Sequence, residues 1–236
     1  MKPELSPSKN LSSSFSKSFV SNVFSLMFSA LIISGLASVW FATDTMKSFI
    51  IDPVTKGLTI FGWISTISPI GLVLLMGVRF QKFNANTLLG IFLIYSTLTG
   101  ISLSTIFSIY TTSSIASTFF ISAITFGIMA TMGYTTKTDL TKMGSFLYMA
   151  LIGVILASVI NWFMQSSLMH YLISVIGVLI FTGLTAYDVQ KIKNIGSQVE
   201  QGSESAQKLM IMGALTLYLD FINLFLMLLR LLGNRD

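Results

Sequence analysis

The 236-residue chain has no cysteine, a single histidine and few charges. Without cysteine there can be no disulfide, no thiolate metal site and no cysteine nucleophile, and the compartment is left open. With His170 as the sole imidazole, a multi-histidine metal site is excluded as well. Charged residues make up only 10% of the chain, against 53% hydrophobic. A water-soluble domain could not cover its surface with so few charges. The net charge of +5 could suggest nucleic acid. However, no basic run or aromatic–basic face is present, and the positive residues fall between apolar runs. The partner this composition calls for is the lipid bilayer.

What the chain does have is long apolar stretches. Crossing a bilayer takes roughly 20 residues of helix. Seven stretches qualify, at about Phe19–Ala42, Leu58–Val78, Leu88–Ile109, Ile115–Tyr134, Phe146–Met164, Leu168–Asp188 (extendable to Ile192) and Leu209–Leu232. The expected fold is all-α, a polytopic bundle of seven transmembrane helices over residues 19–232. A serine-rich tail, residues 1–18, precedes it and is expected to be disordered. The tail and first span could be read as a signal peptide. The apolar run, however, continues past Gly35 through Val39, Trp40 and Phe41, longer than a typical signal core. Most connections are short and force antiparallel neighbours. The stretch from about Val189 to Lys208, rich in Gly, Ser, Gln and Glu, is expected to be a flexible loop or gate.

The basic residues set an orientation. Ten of the 14 Lys and Arg fall on the side of the N-terminus, and Lys47, Lys56, Arg230 and Arg235 fall on the other. By the positive-inside rule the N-terminus is cytoplasmic and the C-terminus lies outside. Trp40, Trp63 and Trp162 all fall at outer span ends, where an amphipathic ring is favoured.

Two carboxylates lie in otherwise apolar segments. Asp188 sits in Phe181-Thr-Gly-Leu-Thr-Ala-Tyr-Asp-Val-Gln-Lys-Ile-Lys193, and Asp220 in Leu215-Thr-Leu-Tyr-Leu-Asp-Phe-Ile-Asn-Leu-Phe-Leu226. An ionisable group at membrane depth costs roughly 2.5–3.5 kcal/mol on insertion scales. Such a group persists where it faces a partner, a cavity or an ion path, or hydrogen-bonds a neighbouring helix. Thr216, Asp220, Asn223 and Met227 follow a 4, 3, 4 spacing and form a supporting polar stripe on the last span. For Asp188 to meet Asp220, the sixth helix must continue through Lys191. If they meet, one shared proton or one bound cation resolves the repulsion, and the pair titrates as a unit.

Catalytic readings fit less well. The Tyr187-Asp188 dipeptide resembles half of an intramembrane aspartyl protease signature. The other half needs Gly-x-Gly-Asp, and here it reads Leu217-Tyr-Leu-Asp220, with no Pro-Ala-Leu tripeptide following. Gly144-Ser145 has no Gly-x-Ser-x-Gly context, and no lysine lies within the seventh span for a Schiff base. Pro69 and Gly71 predict a bend in the second span, because proline removes a backbone donor and clashes with the preceding turn. Arg79 ends that span, as a snorkelling terminus or as a movable cationic partner for Asp188. No enzyme activity and no cofactor are expected.

These residues resemble the Bax inhibitor-1 (transmembrane Bax inhibitor motif) family, in particular its bacterial branch. The strongest matches are Gly183-Leu-Thr-Ala-Tyr-Asp-Val-Gln-Lys-Ile-Lys193 and Thr216-Leu-Tyr-Leu-Asp-Phe-Ile-Asn-Leu-Phe225 with Leu228-Leu-Arg230. Leu98-Thr-Gly-Ile-Ser-Leu-Ser-Thr-Ile106, Gly133-Tyr-Thr-Thr-Lys-Thr-Asp-Leu140 and Gly144-Ser-Phe-Leu147 support them. The resemblance implies a bundle with helix seven surrounded by the other six, in a bacterial inner membrane. It also implies a pH-sensitive calcium leak gated by Asp188 and Asp220, which would line the calcium path, with Arg79 latching onto the carboxylates. One departure stands out, for the second span carries no acidic residue and shows Ser65, Ser68 and Pro69 instead. Some bacterial relatives resemble instead a non-conducting modulator that binds a membrane-bound ATP-dependent protease.

Overall fold

The computed structural model describes residues 7–235. Its helices are α1 (Pro7–Phe41), α2 (Asp44–Ile50), α3 (Ile60–Arg79), α4 (Ala85–Leu103), α5 (Thr112–Thr135), α6 (Thr141–Met164), α7 (Ser167–Gly196) and α8 (Glu204–Leu232). A 3₁₀ turn, Ser104–Ser108, follows α4. Among the described residues, seven helices are long and apolar enough to span a membrane: all of these except α2. Among the described residues no strand forms, and β-type pairing is limited to two isolated bridges. Residues 1–6 of the serine-rich tail lie outside the described residues, and from Pro7 onward the chain belongs to α1.

The stretch between the sixth and seventh spans is not the long loop that its composition suggests. α7 runs on to Gly196 and α8 starts at Glu204, leaving only residues 197–203 between them. The polar residues Gln190, Lys191 and Lys193 hide a buried stripe. Val189, Ile192 and Gly196, spaced three and four apart, keep one helix face against the protein. The sequence reading also missed α2, seven residues between the first two spans with Asp44 in its first turn and Lys47 in its last.

By internal contacts the chain forms two compact units. One contains α5, α6, α7 and α8 from Thr216 onward; the other contains α1 from Phe19, then α2, α3, α4 and α8 up to Leu215. In the first unit α7 packs against both α5 and α6. Glycines permit the close approach, as is usual where van der Waals contact and not water expulsion drives helix association. A Cβ on Gly133 would strike the backbone carbonyl of Ala186, and one on Gly144 would come within 2.5 Å of the Tyr187 ring. Phe221 packs edge-on against Phe119 and Phe126, with ring centroids 5.4 and 5.6 Å apart, joining α8 to α5. In the second unit α3 packs on α4 and on α2. The Ser34 hydroxyl donates to the Ser96 carbonyl at 2.7 Å, closing α1 onto α4.

Burial differs sharply between the spans. More than half of the apolar stretch of α8 is buried, and Leu217, Tyr218 and Leu224 are fully enclosed. On the other helices large apolar side chains face outward, such as Leu36, Ile124 and Phe163. An outward apolar surface of this kind matches a bundle solvated by lipid.

Candidate functional site

Asp188 and Asp220 both lie in the first unit, on α7 and α8, and both are buried, with 1% and 4% of their surface exposed. α7 continues eight residues beyond Asp188 to Gly196, about 12 Å at 1.5 Å per residue. The two carboxyl groups neighbour each other and interact. Such a contact is a hydrogen bond only when a proton sits between the groups, because two ionised carboxylates are both acceptors. In keeping with this, Asp220 Oδ2 is buried and receives no hydrogen bond among the described residues.

A third residue completes the site. Tyr148, on α6, donates its hydroxyl to Asp188, with 3.1 Å to each carboxylate oxygen. Its ring stands edge-on to the Tyr187 ring, with centroids 6.0 Å apart, and Gly144 on α6 leaves room for the Tyr187 ring. The Lys191 ammonium lies 5.9 Å from the centre of that same ring. Sequence reasoning missed Tyr148. The available signal was a tyrosine inside the apolar Phe146–Met164 stretch, one turn from Gly144.

The end of α7 beyond the site is fastened to the α5–α6 connection. Gln190 accepts from the Leu140 N–H at 2.9 Å and donates to the Thr138 carbonyl at 2.8 Å. Lys193 donates to the Tyr134 carbonyl at 2.7 Å and lies over the Tyr134 ring at 4.9 Å. The Ser16 hydroxyl donates to the Lys193 carbonyl at 3.1 Å. These bonds let α7 stay helical past Lys191, as the meeting of the two aspartates requires.

The remaining candidates are placed as follows. Asn223 is half-buried and donates to its own helix at the Leu219 carbonyl, 2.8 Å away. Thr216 is half-buried one turn before Asp220. Neighbours on every side of α8 are buried too, so the four-residue stripe does not distinguish an inner face. Arg79 is the exposed last residue of α3 and belongs to the second unit. His170 lies far along α7 from Asp188, with Nδ1 3.4 Å from the Asn161 amide.

Two carboxylates and one phenol offer at most five oxygens, whereas calcium is held by six to eight. Among the described residues no group of three or more His, Cys, Asp and Glu could hold a metal ion. The donor set fits a proton, or a partly hydrated cation in transit, better than a resident metal.

Comparison with known proteins adds the following. The family model described as "Inhibitor of apoptosis-promoting Bax1" matches residues 16–236. The chain is 51% identical over 170 residues to the inner membrane protein YbhL of Escherichia coli, covering 72% of this chain and 73% of that one. It is 46% identical over 217 residues to an uncharacterized protein of Borreliella burgdorferi, with 92% of each chain covered. An uncharacterized protein of Rickettsia prowazekii, RP147, is 43% identical over 219 residues, covering 92% of this chain and 89% of that one.

Proposed function

The chain belongs to the Bax inhibitor-1 family, and on that premise we propose that it is a pH-sensitive leak for calcium, gated by the Asp188–Asp220 pair. The observation that carries this reading is the buried contact between the two carboxylates. Two like charges about 4 Å apart repel by roughly 4 kcal/mol at an effective dielectric of 20. A fold that places such a pair away from water needs a compensating positive charge between the two. A proton holds the contact closed; loss of the proton opens it to a cation.

Tyr148 has a definite part in this scheme. Its hydroxyl stabilises Asp188 as the charged member of a singly protonated pair, so the proton rests on Asp220. Asp220 Oδ2 then has the hydrogen that its buried position calls for. Thr216 and Asn223 keep α8 polar one turn to either side of Asp220. The role that the family resemblance gives Arg79 is part of the same proposal, and Arg79→Ala tests it through a raised basal leak. The location proposed is a bacterial inner membrane, as in the printed name of the E. coli relative, with the N-terminus cytoplasmic and the C-terminus outside.

The test is calcium entry into liposomes that hold the purified full-length protein. Wild type should carry calcium above the protein-free rate, and Asp220→Asn should change that rate by at least about tenfold, the equivalent of 1.4 kcal/mol. Wild-type vesicles no leakier than empty ones contradict a leak, and they favour a member of the family that acts by binding a membrane-bound protease.

A further inference from the structure

Between the end of α1 and the start of α3 the chain builds a small, stiff element. The Asp52 N–H bonds to the Gly57 carbonyl, and the Lys56 N–H to the Asp52 carbonyl, each at 2.9 Å. Asp52 Oδ1 accepts from the N–H groups of Val54 and Thr55 at 2.7 and 3.0 Å. Ile51 pairs with Leu58. The Thr59 N–H donates to the Ile50 carbonyl at 2.9 Å, and the Thr59 hydroxyl to the carbonyl of Phe49. This network holds Lys56 at a φ of 59°, which a side-chain-bearing residue adopts only under constraint.

The element frames a cavity of about 620 Å³ lined by Asp44, Lys47, Asp52, Lys56, Thr105 and Ser108, among others. That volume lies within the roughly 300–1,000 Å³ range of ligand sites. Two carboxylates and two ammonium groups thus share one cavity, yet none of the four is ion-paired among the described residues. Opposite charges that could neutralise each other are instead held apart around an open volume. Lys47 and Lys56 are also two of the four basic residues that fall on the side the positive-inside rule keeps poor in lysine and arginine.

The surroundings are those of a membrane boundary. α1 ends at Phe41 and α3 begins at Ile60. Val54 and Ile60 are 87% and 82% exposed, and Trp40 and Trp63 stand outward at the ends of the two spans. A ligand meeting this cavity from the bilayer brings a charged head and an apolar tail. The cavity also has apolar lining, Ile51, Leu58 and Ile109, beside its charges.

We infer that this cavity binds a phosphoethanolamine group, with its phosphate on Lys47 and Lys56 and its ammonium on Asp44 and Asp52. The net charge of the four side chains is zero, which matches a zwitterion and not an anion. Ser108 adds a hydroxyl donor for a phosphate oxygen, while the Thr105 hydroxyl donates to the Ser102 carbonyl at 2.8 Å. The group could reach the site as a membrane lipid or as a free phosphoester, and the recognition chemistry is the same for both. The inference is independent of the leak, since every residue it uses lies in the second unit.

Native mass spectrometry of the full-length protein tests it, with phosphatidylethanolamine, phosphatidylglycerol or soluble glycerophosphoethanolamine added. Wild type should retain phosphatidylethanolamine in preference to phosphatidylglycerol. Lys47→Gln with Lys56→Gln should weaken that retention about tenfold or more, as expected for losing hydrogen bonds to a charged group. Asp44→Asn should erase the preference between the two lipids, and Lys47→Arg with Lys56→Arg should preserve it, which separates recognition from folding. Soluble glycerophosphoethanolamine binding as tightly as the lipid identifies a free ester as the source; tighter lipid binding identifies the bilayer. Equal retention of both lipids by wild type, or unchanged retention in the Lys→Gln variant, overturns the inference.

Discussion

Tyr148 on α6 donates one hydroxyl to both oxygens of Asp188 on α7, at 3.1 Å each. The phenol therefore gives the carboxylate its protein donor from a helix other than α8, so Asp188 and Asp220 are not equivalent. Tyr148→Phe should cost about 1–3 kcal/mol, the usual result of leaving a buried polar group unsatisfied. The proton should then no longer favour Asp220, and calcium flux should shift its pH dependence while the pair stays intact. Flux and thermal unfolding in detergent check both parts. An unchanged pH profile would make the tyrosine a packing residue only.

Helix contact in the first unit depends on Gly133. Its added Cβ would meet the Ala186 backbone, which cannot rotate away as a side chain can. Gly133→Ala should therefore destabilise by about 1–3 kcal/mol, in the range of overpacked cores. Gly127→Ala and Gly153→Ala, whose added methyl groups meet nothing within 4 Å, should be neutral or slightly stabilising. Thermal unfolding of the three variants makes the comparison. Equal effects at all three positions would show that the α5–α7 contact is looser than described.

The 51–58 loop should loosen in acid. Hydrogen bonds from the backbone N–H groups of Thr55 and Val54 hold the Asp52 carboxyl below its ordinary 3.8. A group whose value is lowered on folding stabilises above its unfolded value and ceases to do so as pH falls through the folded one. Exchange protection of the Val54 and Thr55 amides, corrected for intrinsic rates, should persist at about pH 5 and be lost only as pH falls below the ordinary 3.8. Asp52→Asn should show no such step. Protection that is flat with pH in wild type would contradict the assignment.

Orientation is read from charge alone. A reporter joined after the C-terminus should behave as external and one at the N-terminus as cytoplasmic, given the ten-to-four division of basic residues. Cytoplasmic signal from both fusions would mean that one of the seven apolar helices does not cross.

The seven spans were legible because an apolar run long enough to cross a bilayer has few other uses. Asp188 and Asp220 were legible because a lone carboxylate in such a run has few tolerable surroundings. Tyr148 was not, since tyrosine is common in membrane helices and one-dimensional order does not say which helix faces Asp188. Composition misled at residues 189–208. Lys191 and Asn194 there are exposed and Gln190 and Lys193 bond to Thr138, Leu140 and Tyr134, while Val189, Ile192 and Gly196 keep the helical period on the buried face. α2 escaped because seven residues are too few to display a period. The cavity beside it depends on side chains from Asp44 to Ile109, brought together only by the packing of α2, α3 and α4.

The central claim is that a proton shared by Asp188 and Asp220 sets the leak. Calcium flux in liposomes, measured across about pH 6–8 for wild type, Asp188→Asn and Asp220→Asn, tests it most directly. A gate governed by one proton can change flux by up to about tenfold per pH unit, and wild type should rise with pH toward that limit. Each asparagine variant removes a member of the titrating pair, so its flux should vary little over the same range. If both variants keep the wild-type pH profile, the aspartates are structural and the gate lies elsewhere.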